Sequence, residues 1–121
     1  MLTSLLTQPL GRLRRSQVWQ AGRQGFYDGL HYEIAALSLG DVLKSEKNYA
    51  EAVLTYEQVN EASQPDPEVL QKANLAAGEM YDLLAKRDLA VKRYQAVVAV
   101  NSTTTLAENA NRYLKEPYRG E

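Results

Sequence analysis

The sequence predicts an all-helical chain built from repeated antiparallel helix hairpins, and three observations predict it. Gly40, Ala52, Tyr56 and Val59 recur as Gly78, Ala90, Tyr94 and Val97, an offset of 38 each time. Helix-start signals stand where the helices of each copy should begin. No stretch of useful length alternates apolar and polar residues with the period of two that a half-buried strand requires.

The recurring residues are those that a helix crossing selects. Two antiparallel helices approach closely only where one presents Gly or Ala, and an aromatic four residues beyond the second Ala fills the next gap. Each copy therefore reads as a small seam residue, a glycine, an alanine twelve residues later and a tyrosine four after that. Surface positions drift between the copies: Glu46-Lys47 becomes Leu84-Ala85, and Tyr49-Ala50 becomes Arg87-Asp88.

In chain order, Pro9, Gly11, Gly22, Gly25 and Gly29 punctuate a helix expected from about Leu10 to Ala21. A further shift by the same offset puts Arg14, Val18 and Ala21 at the Ala52, Tyr56 and Val59 positions, a weak third match. Helices are predicted near 30–46, 49–62, 67–86 and 88–100. Asn48 with Glu51 reads as an N-cap and its capping-box partner, Asp66-Pro67-Glu68 as N-cap, first-turn proline and first-turn acid, and Asp88 as another N-cap. The cluster Ser102-Thr103-Thr104-Thr105 offers several N-caps, and Thr105 with Glu108 makes a further capping box, opening a last helix to about Lys115 that Pro117 stops. Its face of Ala107, Ala110, Tyr113 and Leu114 should cover the open end of the second copy. The domain division that follows is a basic arm over 1–29 and a repeat domain over 30–121, with copies at about 30–65 and 67–100 and a capping helix at about 103–115.

This pattern resembles the tetratricopeptide repeat, in which W-x2-L-G-x2-Y is followed by A-x3-F and then P over about 34 residues. Gly40 and Gly78, Ala52 and Ala90, and Tyr56 and Tyr94 fit that motif. The tryptophan slot holds Ala36 and Asn74, the leucine slot Leu39 and Ala77, the first tyrosine slot Leu43 and Tyr81, and the proline has near equivalents in Pro65 and Pro67. The longer period fits an extended connection around Ser63 to Asp66. The resemblance implies a short right-handed solenoid, and the whole segment is similar to an interior slice of longer bacterial repeat proteins. It also implies that the first helix of each repeat lines a concave groove. That places Ile34, Leu37, Asp41 and Lys44 beside Lys72, Leu75, Glu79 and Asp82 as partner contacts. Family members that clamp acidic chaperone tails carry Lys and Asn where this chain has Leu37 and Asp41, then Leu75 and Glu79, so a basic or amphipathic helical ligand is expected instead.

Composition excludes several other readings. Apolar residues make up 45% and charged residues 24% of 121, an ordinary globular balance for one domain. With no cysteine there is no disulfide framework, thiolate metal site or cysteine nucleophile. The single histidine, His31, and the lack of a Gly-rich phosphate loop or H-E-x-x-H motif argue against an ordinary hydrolase or metal enzyme, and no cofactor is expected. Asn101-Ser102-Thr103 matches a glycosylation acceptor, but Met1 to Leu6 does not read as a secretory leader, so the segment reads as a plain loop in a cytoplasmic protein. The acid-free stretch from Met1 to Trp19 shares its composition with organelle transit peptides.

Net charge is -1 overall, yet Arg12, Arg14, Arg15 and Arg23 face only Asp28 in the first 30 residues. That arm reads most simply as a solvated helix face, with attachment to a membrane assembly as an accessory subunit as the alternative. Eight tyrosines invite a nucleic-acid stacking reading, but Tyr56 and Tyr94 are seam residues and the body is acidic, so no nucleic acid is expected. The leading expectation is a non-catalytic scaffold binding another protein or peptide in the groove. The alternative is head-to-tail self-assembly through open repeat ends, because two clear repeats fall short of the three a solenoid usually needs.

Overall fold

The computed structural model describes residues 32–120. Five α-helices run through them without a strand: α1 Tyr32–Ser45, α2 Tyr49–Glu57 with a 3-10 turn at Gln58–Glu61, α3 Pro67–Leu83, α4 Arg87–Val100 and α5 Thr105–Lys115. Each lies within a few residues of its expected position. The expected helix over 10–21, the arginines of the basic arm and His31 lie outside the described residues. No described helix is long and apolar enough to cross a membrane.

The repetition extends to the backbone. Lys47 and Ala85, one period apart, both adopt φ of 61°. The amides of Asn48 and Lys86 then donate back to the carbonyls of Leu43 and Tyr81 at 2.9 and 2.8 Å, and those of Lys47 and Ala85 to Lys44 and Asp82 at 2.9 and 3.0 Å. Both hairpins thus turn through the same left-handed closure, which satisfies the last carbonyls of the first helix while reversing the chain.

That closure corrects two expected caps. Asn48 occupies the N-cap of α2 but makes no side-chain cap bond, and α4 begins at Arg87 with Lys86 at its cap, so Asp88 lies inside the first turn. Where the turn itself sets the entry angle, the side chain is not needed to do so. The connections without such a turn are capped by side chains. Asp66 Oδ1 accepts from the amides of Glu68 and Val69 at 2.9 and 3.3 Å. On α5 the cap is Thr104 rather than Thr105, its hydroxyl accepting from the amide of Ala107 at 3.0 Å.

At each hairpin seam the glycine lies against a tyrosine face. A Cβ built on Gly40 would stand 2.5 Å from Tyr56 Cε1, and one on Gly78 closer still to Tyr94 Cε1, far inside contact distance. Both rings are wholly buried, as are Ala52, Ala90, Val59 and Val97. Alanine at position 78 gains about 1 kcal/mol in helix propensity but overpacks the seam by about 1–3 kcal/mol. Gly78→Ala is therefore expected to lower the denaturation midpoint in the wild-type background and to raise it, or leave it unchanged, in a Tyr94→Leu background. A loss of equal size in both backgrounds would show that the ring is not the obstacle.

Polar side chains join one hairpin to the next. Asn74, in the slot where the motif has tryptophan, is 1% exposed and exchanges amide hydrogen bonds with Asn60 at 3.0 and 3.1 Å while also donating to the Leu70 carbonyl at 2.9 Å. Tyr81 donates to Glu57 at 2.6 Å. Glu57 Oε2 also lies 3.0 Å from Arg93 Nε, an ion pair without hydrogen-bond alignment. Buried Gln71 donates to the carbonyls of Val97 and Asn101, both at 2.9 Å, and so closes the end of α4. Its counterpart one period earlier, buried Glu33, accepts from the Asp66 amide at 3.4 Å.

The two copies differ in what covers them. Ala73, Ala76 and Met80 of α3 are buried, whereas the equivalent Ala35, Ser38 and Val42 of α1 are exposed, Val42 at 46%. At the other end α5 lays Ala107 and Ala110, both fully buried, toward the second hairpin, with the Tyr113 ring 5.6 Å from that of Tyr94.

Candidate functional site

Helix α1 brings Asp41 and Lys44 to one surface, and α3 brings Glu79 and Asp82 to the same surface from the equivalent face one period on. Lys44 Nζ and Glu79 Oε1 meet at 3.5 Å across the two helices. Two clefts open here. One of about 460 Å³ is lined by Lys44 and Glu79 with Arg112 and Tyr113 of α5, and the other of about 740 Å³ by Asp41, Lys44, Ser45, Tyr49, Met80 and Leu83. Tyr118, Arg119 and Gly120, from the segment after α5, line both.

Asp82 organises this surface from below. Its side chain is 2% exposed, and both oxygens take Nη1 of Arg87 at 3.1 and 3.0 Å. Oδ2 also accepts from the Tyr94 hydroxyl at 2.7 Å and from the Tyr118 amide at 3.0 Å. Arg87 in turn donates through Nη2 to the carbonyls of Tyr113 and Leu114 at 2.7 and 3.0 Å, satisfying the end of α5. One buried carboxylate thereby ties together the end of α3, the start of α4, the end of α5 and the segment beyond it. Charge-assisted bonds of this kind are short and strong, and Oδ2 takes three of the four donated to this carboxylate.

The tyrosines that face these carboxylates are held protonated. Tyr94 is pushed far above the ordinary phenol range by burial first, then by its hydrogen bond to Asp82 and the charges of Asp82 and Glu79, with Arg87 opposing. Tyr56 is raised in the same way by burial and by its hydroxyl's 2.5 Å bond to Asp41. Tyr81 is pushed up to about 12 by burial and by Glu57, with Arg93 opposing. Such phenols serve as hydrogen-bond donors inside the fold rather than as bases. Among the described residues no group of three His, Cys, Asp or Glu side chains converges on a metal position.

The eight residues expected to contact a partner fall into three groups. Asp41, Lys44 and Glu79 come together at the clefts. Asp82 belongs to the same face but is spent on Arg87, Tyr94 and the Tyr118 amide, so its role there is to hold chain rather than to offer free charge. Ile34, Leu37, Lys72 and Leu75 line neither cleft: Ile34 is half exposed, Lys72 pairs with Glu68 at 3.1 Å one turn away, and Leu75 is only 7% exposed. Sequence reasoning missed Arg87, Arg112 and Tyr118, and gave Tyr113 a covering role alone. Pro117 was the one legible signal, since a chain stopped at the end of α5 must leave it, but nothing in the spacing says that it turns back across α3.

These features suit non-covalent recognition: paired charges at the rim, an aromatic side chain on α5, and backbone held by a buried carboxylate. No protein-family model, curated protein or solved structure matches the chain.

Proposed function

We propose that this chain is a non-catalytic interaction module of the tetratricopeptide type that binds a segment of another protein in the groove between α1, α3 and α5. The observation that carries this reading is the pair of clefts beside Asp41, Lys44 and Glu79, on the face that the first helix of each hairpin presents. Supporting it are the equivalent turns at Lys47 and Ala85 and the equivalent glycine–tyrosine seams, which set α1 and α3 in the same orientation within successive hairpins. The rim carries both signs, Asp41 and Glu79 beside Lys44, Lys47 and Arg112, which suits a ligand with charges of its own, and charge of this kind governs partner choice and on-rate more than raw affinity.

The test is selection of peptides from a randomised display library against the full chain, followed by titration of the best ligand against a charge-removed variant. Reversing Asp41 to Lys is unsuitable, because Asp41 holds the Tyr56 hydroxyl. Asp41→Asn with Glu79→Gln keeps the hydrogen-bond acceptors and removes both charges. Affinity is expected to fall about tenfold or more at low salt, with the helical spectrum of the folded protein retained and weaker salt dependence. An affinity that does not change would place the binding surface elsewhere.

A further inference from the structure

The segment after α5 crosses the surface just described. At Tyr118 the backbone amide is bonded to buried Asp82 and the ring meets that of Tyr113 edge-on, centroids 5.2 Å apart. Pro117 restricts the backbone immediately before this contact. Gly120 takes φ of 93°, a left-handed conformation natural to glycine, and a Cβ there would come to 3.9 Å from Leu83. Arg119 lines both clefts, beside Glu79 and Glu116 in one and Asp41 in the other, among the cations Lys44, Lys47 and Arg112. Tyr118, Arg119 and Gly120 form part of the wall of both clefts.

Each of these features is of a kind by which an extended peptide is recognised: a backbone amide on a fixed acceptor, an aromatic side chain on an aromatic neighbour, and a cation in a cleft that also holds carboxylates. Resting on the groove reading above, we propose that the partner is an extended peptide segment carrying an aromatic residue followed by a basic one, and that residues 117–120 occupy its place in cis. A partner segment of this class binds by displacing Tyr118 and Arg119, taking the Asp82 carboxylate through its own backbone amide and the Tyr113 ring through its own aromatic side chain. Arg87 and Tyr94 continue to satisfy the rest of Asp82 during the exchange, so the core stays closed.

A tethered occupant competes at an effective concentration in the millimolar range, which lowers the apparent affinity of a similar free peptide by the fraction of time the groove is vacant. The test uses the full chain, isotope-labelled, and a synthetic acetylated peptide with the sequence of residues 116–121, read by amide shifts of residues 41–45 and 79–83. The full-length Tyr118→Ala/Arg119→Ala variant is expected to bind the peptide saturably and about tenfold or more tightly than the wild type. A peptide with alanine in place of its tyrosine should not bind. Should the double variant lose its native spectrum, Arg119→Glu alone, which alters only an exposed charge, is expected to bind about threefold or more tightly than wild type. Equal binding to variant and wild type, or no binding to a folded variant, overturns the proposal. If library-selected peptides still bind in an Asp41- and Glu79-dependent way, only the cis-occupant inference falls; if they too fail, the groove reading falls with it.

Discussion

Replacing Asp82 with alanine is expected to destabilise the protein by about 2–4 kcal/mol, because it takes the acceptor from the buried Tyr94 hydroxyl and the partner from Arg87, whose side chain is itself 34% exposed. The carboxylate is 2% exposed and receives Arg87, Tyr94 and the Tyr118 amide. Removing it leaves Arg87 with only its carbonyl partners at Tyr113 and Leu114. The loss should be smaller with Asp82→Asn, which retains an acceptor for Tyr94 while losing the charge. A second change, Arg87→Met, should cost less in the Asp82→Ala background than in the wild type, since the two residues are coupled. Urea unfolding of the four proteins measures this. A cost under about 1 kcal/mol for Asp82→Ala, the range of an exposed ion pair, would mean that the network contributes little.

Alkaline pH should unfold the protein steeply. Tyr56 and Tyr94 are raised far above the ordinary phenol value of 10.0, and Tyr81 to about 12. Folded-state values above the unfolded one mean that these phenols stabilise fully below pH 10.0, and that this contribution is lost as pH rises from there through each folded value. Above that point the unfolded chain releases the protons while the folded chain keeps them, so stability falls by up to about 1.4 kcal/mol per pH unit for each tyrosine, about 4 kcal/mol per unit at most for three until Tyr81 itself titrates at about 12. Substituting all three with Phe removes the titrating hydroxyls, and the variant's stability should decline less steeply in the same range. Denaturant unfolding at a series of alkaline pH values, with the Phe variant as reference for lysine titration, measures the slope. Matching slopes for the two proteins would contradict the assignment of these phenols as buried donors.

Much of the fold was legible because its determinants are local or strictly periodic. Gly40 with Tyr56 and Gly78 with Tyr94 stand at the same spacing, which marks them as seam residues, whereas the sequence set the ring in the next gap and the structure lays it on the glycine itself. The Asp66-Pro67 start was legible because cap and first-turn proline act within one turn. The starts of α2 and α4 were less so: a left-handed residue at Lys47 and Ala85 does the work that side chains at Asn48 and Asp88 were expected to do. Neither Lys nor Ala announces that conformation as Gly would.

The site was legible only in part, for a related reason. Asp41, Lys44 and Glu79 follow from helical periodicity and the repeat offset, which place them on one face. Asp82 sits on the same stripe, yet its neighbours come from Arg87 beyond the turn and Tyr118 far along the chain. No local pattern encodes a carboxylate that is buried by what returns to it. Residues 116–120 have neither periodicity nor a repeat counterpart, so their path depends on tertiary contacts alone.

The most direct test of the groove as the binding surface is hydrogen exchange on the full chain, with and without a saturating library-selected peptide. The account predicts added protection in the second halves of α1 and α3, around residues 41–45 and 79–83, together with faster exchange at the Tyr118 amide as it leaves Asp82. Protection confined to α2 and α4, with the Tyr118 amide unchanged, would contradict it.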